Sequence, residues 1–190
     1  MDDTLPVARL SIEIQEECIE EGAIQVLSKI RPHWAVNNIQ FKLLTDGITN
    51  KLVRCCLTED SEDVVLVRVY GQKTDLLIDR KAETRNIILL HNENLAPRLY
   101  ATFENGLAYE YVPGVTLTSQ TVIDTKIYSL IARKMAQLHL VKPGNKNSGE
   151  PVLWNKFEQF YNLVPDGFSD ADKQEKFKSM NYPKPRQCHI

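Results

Sequence analysis

Apolar residues in the first half of the chain alternate, fall into helical spacing, and then alternate again. Ala8, Leu10, Ile12 and Ile14 alternate over a stretch that suits either an N-terminal strand or a loose arm. Over 17–31, Ile19, Ala23, Val26, Leu27 and Ile30 share one helical face, and Pro32 ends the run. Ile39, Phe41 and Leu43 then alternate in a candidate strand. Asp46-Gly47 marks a turn, and 51–58 and 64–70 read as two further strands joined by the acidic stretch 59–63. A helix is predicted over 79–92, with Asp79 as N-cap and Ala82, Ile87, Leu89 and Leu90 on its apolar side. Strands at 98–103 and 107–112 flank Asn105-Gly106, a dipeptide that favours a type I′ hairpin turn. After Pro113-Gly114 strand signals stop. An amphipathic helix over 124–141 carries Ile127, Ile131, Met135 and Leu138 in one stripe. A polar Gly/Pro loop leads to a candidate helix at 152–163, rich in Trp154, Phe157, Phe160 and Tyr161. The last residues, 180–190, have two prolines and no apolar face, and read as a disordered tail.

This order predicts an α+β fold. A five-stranded antiparallel sheet with a helix between its third and fourth strands resembles the small lobe of a protein-kinase-like fold, followed by the first helices of an incomplete large lobe. The expected organisation is an N-terminal arm and helix (1–35), the small lobe (36–113), the start of the large lobe (114–179) and the tail (180–190). Topology alone carries no function.

Composition narrows the classes. The chain has 190 residues, 43% apolar and 25% charged, the balance of an ordinary globular protein. With 23 basic and 25 acidic side chains its net charge is −2, which argues against a dedicated nucleic-acid binder. No apolar run approaches the ~18 residues of a membrane-spanning helix, and MDDTLPVARLS lacks a signal-peptide layout. Cys18, Cys55, Cys56 and Cys188 show no CxxC spacing, so they read as thiols of a reduced, cytoplasmic protein, with no metal site. Cys55 and Cys56, adjacent in a strand, should point to opposite faces.

Candidate chemistry centres on Arg68. Val64-Val65-Leu66-Val67-Arg68-Val69-Tyr70-Gly71 places one guanidinium in an apolar strand, and a buried guanidinium needs an anion, either a carboxylate or a bound phosphate. Glu83, one turn into the next helix, is the candidate carboxylate, although Arg80, Lys81 and Arg85 around it would equally suit a solvated face. Strand arginine and helix carboxylate match the kinase strand–helix ion pair, in which a basic side chain holds nucleotide phosphates while a carboxylate fixes its rotamer. The loop Asp46-Gly47-Ile48-Thr49-Asn50 occupies the place of a phosphate-covering loop. Its single glycine also suits an ordinary hairpin, while Thr49 and Asn50 offer side-chain donors. Glu110 and Val112 have the alternate spacing with which a hinge backbone meets an adenine edge, as any strand would.

Together these stretches carry a resemblance. DGITNKL at 46–52, VLVRVYG at 65–71, LLIDRKAETRNIILL at 76–90, APRLYATFENGLAYEYVPG at 96–114 and RKMAQLH at 133–139 resemble the ethanolamine branch of the choline/ethanolamine kinase family, from about residue 20 to about residue 179. The resemblance implies an ATP- and Mg²⁺-dependent phosphotransferase acting on the ethanolamine hydroxyl, the first step toward phosphatidylethanolamine. It implies that Arg68 contacts ATP phosphates, that Glu83 pairs with it, that Gly47, Thr49 and Asn50 belong to the loop over the phosphates, and that the backbone of Glu110 and Val112 meets adenine.

The family's H-N-D-L-x-x-x-N loop and I-D-[YF]-E metal segment have no counterpart here, so neither a catalytic base nor Mg²⁺ ligands are assigned. His91-Asn92-Glu93-Asn94-Leu95 imitates the first, with Glu in place of Asp and Arg98 where Asn would fall, and it comes too early in the fold order. The expectation is a chain truncated before the catalytic half, as a splice isoform or an incomplete gene model, which grips ATP but is inactive alone. The alternative is a non-catalytic partner that dimerises with the full-length kinase. An SH2-type phosphate reader, also similar in having V-L-V-R after a helix, is disfavoured because Val69-Tyr70-Gly71-Gln72 lacks a hydroxyl-rich phosphate loop.

Overall fold

The computed structural model describes residues 7–46, 50–71, 74–142 and 152–181. In chain order the strands are β1 (Ala8–Leu10), β2 (Gln40–Asp46), β3 (Asn50–Cys56), β4 (Val65–Tyr70), β5 (Leu99–Phe103) and β6 (Gly106–Glu110). The helices are α1 (Ile19–Ile30), α2 (Arg80–Asn92), α3 (Thr125–Leu140), α4 (Val152–Asn162) and α5 (Ala171–Ser179). Contacts group them into two compact units, Met1–Lys142 and Pro143–Ile190.

In the first unit, one sheet runs β1-β5-β6-β4-β3-β2. Strand alternation gives β4 two unlike faces. Val65, Val67 and Val69 are essentially fully buried. They join Val53, Cys55, Ala101, Phe103 and Ala108 from neighbouring strands with Ala23, Val26 and Leu27 of α1 in one core. Leu66, Arg68 and Tyr70 take the opposite face. Cys55 and Cys56 are both buried, Cys55 in that core and Cys56 outside it, where its sulfur accepts from Arg54 Nη1 at 2.9 Å.

The sheet has six strands and is mixed, a correction to the five antiparallel strands expected. The sixth is β1, which pairs parallel to β5 with Ala8 opposite Ala101 and Leu10 opposite Phe103. It forms because the following backbone is held in place. Asn105 receives the Ile14 N–H on Oδ1 at 3.0 Å and donates from Nδ2 to the Ile14 carbonyl at 2.8 Å. Glu104 N–H donates to Ile12 O at 2.9 Å. Of the two forms left open for the N-terminal stretch, strand or loose arm, the structure shows a strand, and the helix expected after it packs into the same core.

The same contacts overturn the type I′ turn. That turn needs positive φ at both central residues, yet Asn105 is not among the described non-glycine residues with positive φ. Phe103 pairs with Gly106, so the two loop residues are Glu104 and Asn105. Gly106 serves a close approach instead, since a Cβ there would lie 2.2 Å from the Arg68 carbonyl oxygen.

Helix α2 begins as expected, with the Asp79 side chain accepting from Ala82 N at 2.9 Å. Strand β6 stops at Glu110, short of the expected 112. Helix α3 is capped by Asp124. In the second unit, α4 stacks Trp154 edge-on to Phe157. Helix α5, not foreseen in the charged stretch after Ser169, starts on an Asp170 cap. No residue of α3, α4 or α5 is buried. Among the described residues no helix is long and apolar enough to cross a membrane.

Candidate functional site

Arg68 lies mid-strand in β4, directly opposite Leu52 of β3 and Leu107 of β6. Cross-strand partners share a face, so the guanidinium is framed by aliphatic side chains, with Leu66 and Tyr70 before and after it on its own strand. Such a desolvated cation requires an anion, and α2 supplies one. Glu83 Oε1 accepts from Arg68 Nη2 at 2.5 Å, so the ion pair expected between strand and helix is formed.

Glu83 is not on a solvated face. Its second oxygen, Oε2, accepts from Arg80 Nη1 at 3.0 Å. The side chains of Arg68, Glu83 and Arg80 are 18–22% exposed. Arg80 also donates from Nη2 to Thr74 Oγ1, and that hydroxyl donates to Gly71 O at 2.8 Å. The Arg80 guanidinium carbon lies 3.6 Å from the centroid of the Tyr70 ring, a cation–π contact, and that of Arg68 lies 5.5 Å from it. Two guanidiniums thus share one carboxylate, and the trio keeps one net positive charge.

The electrostatics agree with that count. Burial acts to lower the Arg68 pKa, but the hydrogen bond and charge of Glu83, with smaller contributions from Tyr109 and Tyr70, bring the net shift upward. Burial raises the Tyr109 hydroxyl, opposed by Arg68. Burial and Glu83 raise Tyr70, opposed by Arg68 and Arg80. Arg68 Nε is buried and has no hydrogen-bond partner among the described residues, and the same holds for Arg80 Nε. An orphaned buried N–H on a cationic fork is what an additional anionic ligand would satisfy, so a phosphate fits the donor set at Arg68. Among the described residues no three His, Cys, Asp or Glu side chains gather in a way that could hold a metal ion.

The other candidate residues are spread more widely. Asn50 begins β3 directly opposite Tyr70, on the Arg68 face. Gly47 and Thr49 lie outside the described residues. Glu110 N–H is taken by Arg98 O at 2.9 Å, and its carboxylate accepts from Arg98 N at 3.0 Å. Val112 falls beyond the end of β6 and is 62% exposed. His91 closes α2, with its Nδ1 3.1 Å from Ala96 O, and Asn94 turns the chain at φ 55°, so the imitation of a catalytic loop is a helix terminus. A separate cavity of about 960 Å³ opens between the N-terminal segment and α2. It reaches Tyr70 and Arg80 but not Arg68 or Glu83.

Sequence reasoning missed Arg80, Tyr70 and Thr74 as parts of this cluster. Two signals pointed there: Tyr70 is two positions from Arg68, hence on its face, and Arg80 is three before Glu83, hence within reach on a helix.

This chain is similar to known proteins in sequence and in fold. The choline/ethanolamine kinase model matches residues 41–188, and so extends past residue 179, where the resemblance was expected to end. Human ethanolamine kinase 2 is 44% identical over 158 residues, covering 83% of this chain and 41% of that protein. The ethanolamine kinase of Drosophila melanogaster is 36% identical over 251 aligned residues, covering 90% of this chain and 48% of that protein. In three dimensions, the Plasmodium vivax ethanolamine kinase superposes with a TM-score of 0.67 at 25% identity, covering 78% of this chain and 44% of that one. The chain spans less than half the length of the curated relatives it matches. The strand arginine and its helix carboxylate lie inside the residues that the family model matches, and the chain belongs to the choline/ethanolamine kinase family.

Proposed function

We propose that this chain supplies the ATP-gripping part of an ethanolamine kinase, which transfers a phosphoryl group to the ethanolamine hydroxyl in the route to phosphatidylethanolamine. The observation that carries this reading is Arg68, fixed by Glu83 in an apolar sheet face with a buried Nε–H left unpartnered. In this reading Arg68 stabilises charge on the ATP phosphates. The loop 46–50, with Gly47, Thr49 and Asn50, covers them, and Asn50 already stands on the Arg68 face. The backbone beyond β6 meets adenine. The Glu110 N–H is spent within the sheet, so the Glu110 carbonyl and the Val112 backbone are the groups assigned to that contact. Ethanolamine is taken as the acceptor because relatives bearing that name, among them the human and Drosophila melanogaster proteins, match at 36–44% identity.

Residues 1–190 contain no H-N-D-L-x-x-x-N or I-D-[YF]-E segment. We assign the Mg²⁺ ligands and the group that accepts the hydroxyl proton to such segments of a full-length kinase, and expect the 190-residue chain to be inactive by itself in the cytoplasm. When bound, Mg²⁺ would neutralise charge on the phosphates. The test has two arms. Titration with ATP should show weak binding that Arg68→Ala removes; equal affinity in a folded variant would refute the phosphate role. Incubation with radiolabelled ATP, Mg²⁺ and ethanolamine should give no phosphoethanolamine above background, and product from the pure chain would overturn the expected inactivity. A second reading, a non-catalytic partner of a full-length kinase, is favoured by the exposed Met135 and Leu138 on α3. Co-purification with the full-length enzyme distinguishes it.

A further inference from the structure

An arginine in the strand position raises a difficulty that a lysine would not. A guanidinium matches a carboxylate with two parallel hydrogen bonds, commonly through Nε and one Nη. Arg68 and Glu83 are placed for that fork, and a side chain closed on its carboxylate in this way would have few donors left for a phosphate. Here the fork is open. Only Oε1 of Glu83 meets Arg68, through Nη2, and Arg68 Nε stays buried without a partner. The oxygen that would complete the fork, Oε2, is held by Arg80 Nη1 at 3.0 Å.

Helix stability does not explain Arg80. It is the first residue of α2, where a cation opposes the helix macrodipole. Contacts on three sides nevertheless fix it: Glu83, the Thr74 hydroxyl and the face of Tyr70. Tyr70 comes from the same strand as Arg68, two positions on, so the strand that carries the phosphate-facing arginine also carries the platform for its competitor.

We propose that Arg80 is a positioning residue: by taking Glu83 Oε2 it prevents Glu83 from closing a two-toothed pair on Arg68, and so leaves the Arg68 Nε–H unpaired for the nucleotide phosphates to take. This rests on the reading of Arg68 as the phosphate contact. It leads to a specific dependence. The need for Arg80 exists only while residue 68 is an arginine, because lysine presents a point charge that cannot be captured as a fork.

The experiment uses the 190-residue chain with two readouts. The first is the ¹⁵Nε–H resonance of Arg68 without nucleotide. In Arg80→Leu it should move to the position of an arginine hydrogen-bonded to carboxylate, as Oε2 turns to Nε; an unchanged resonance in the folded variant overturns the proposal. The second is ATP affinity in a double-mutant cycle. Arg80→Leu should weaken ATP binding at least about tenfold in the Arg68 background and far less in the Arg68→Lys background. Arg80→Lys, which keeps a cation on Oε2, should restore most of the loss. Equal losses in both backgrounds would show that Arg80 merely supports the fold, and would sink the idea. Thermal melts identify any variant that fails to fold, and Arg80→Gln, which keeps a donor for Thr74 without the charge, then takes the place of the leucine variant. If the wild-type chain binds no ATP, the phosphate reading of Arg68 falls, while the resonance of Arg68 still decides whether Arg80 holds the fork open.

Discussion

A single arginine among valines and leucines stands out in the sequence itself, because burial forces it to find an anion. Glu83 was legible for the same reason, as a carboxylate one helical turn past the strand that needed it. Arg80 was not: its charge reads as solvation until Tyr70 and Thr74 are seen to enclose it. Residue-scale burial also makes the Cys55 thiol informative. Desolvation, aided by Cys56 and Glu20 and opposed by Arg54, pushes its pKa from 9.0 up to about 12. The folded state therefore holds the thiol proton where the unfolded chain has lost it. Stability linked to Cys55 is fully present below pH 9 and is lost as pH rises through 12, with a limit on the order of 4 kcal/mol. Urea unfolding at several pH values between 8 and 11 checks this. Wild type should lose stability more steeply above pH 9 than Cys55→Ala, whose own cavity cost is present at every pH. Parallel slopes for the two proteins would remove the thiol from the account. Comparison with the variant is needed because Tyr70 and Tyr109, also raised by burial from 10.0, add a loss in the same direction once pH passes 10.

At the scale of elements, periodicity gave the order of β2 through β6 and of α1 through α4, because each carries its apolar residues at the spacing of its own element, whether or not that face is buried. It missed α5, whose charged face stays in water and whose start is marked only by the Asp170 cap. It also misjudged Asn105-Gly106, since a local turn preference lost to long-range contacts. Asn105 is the clasp between hairpin and N-terminus: its amide satisfies both backbone groups of Ile14, a residue 1% exposed. Asn105→Ala should therefore cost roughly 2–4 kcal/mol, about one buried unsatisfied group for each lost partner. Release of β1 should appear as faster amide exchange at residues 8–14. A denaturation midpoint within error of wild type would show that water replaces the amide at no cost. Gly106→Ala tests the other half of the dipeptide. Its methyl would meet the Arg68 carbonyl and the Phe103 ring, both at 2.2 Å. Neither is the free end of a flexible chain, so β4 and β6 must part, at a cost of about 1–3 kcal/mol or more. The displaced strand is the one that carries Arg68, so ATP affinity should fall together with stability.

Across the whole molecule, stability should be very unevenly distributed. The central strands and α1 form the core, with Val26, Val65, Val67 and Ala108 at 0% exposure. No residue of α3 is buried, and two members of its apolar stripe, Met135 and Leu138, are 53% and 45% exposed. In α4, Leu153, Trp154 and Phe157 are exposed as well. A helix that buries little depends on its own propensity, and lengths near 12–15 residues are marginal in water on that basis alone. Fully burying one such side chain is worth about 1.5–3 kcal/mol, so most of that gain is absent from α3 and α4. Amides in β3, β4, β5 and β6 should exchange with solvent only through global unfolding. Those of α3, α4 and α5 should exchange orders of magnitude faster, through local opening. Hydrogen-exchange mass spectrometry on the 190-residue chain measures this directly, and a hydrophobic dye should bind it more strongly than a fully buried domain of equal size. Mixing with a full-length kinase of the family adds a second measurement. If the α3 stripe docks on that partner, exchange at 127–138 should slow while β4 is unchanged. Uniform protection across β4 and α3 in the chain alone, with no dye bound, would show that the exposed stripe is already satisfied and that no partner is needed to explain it.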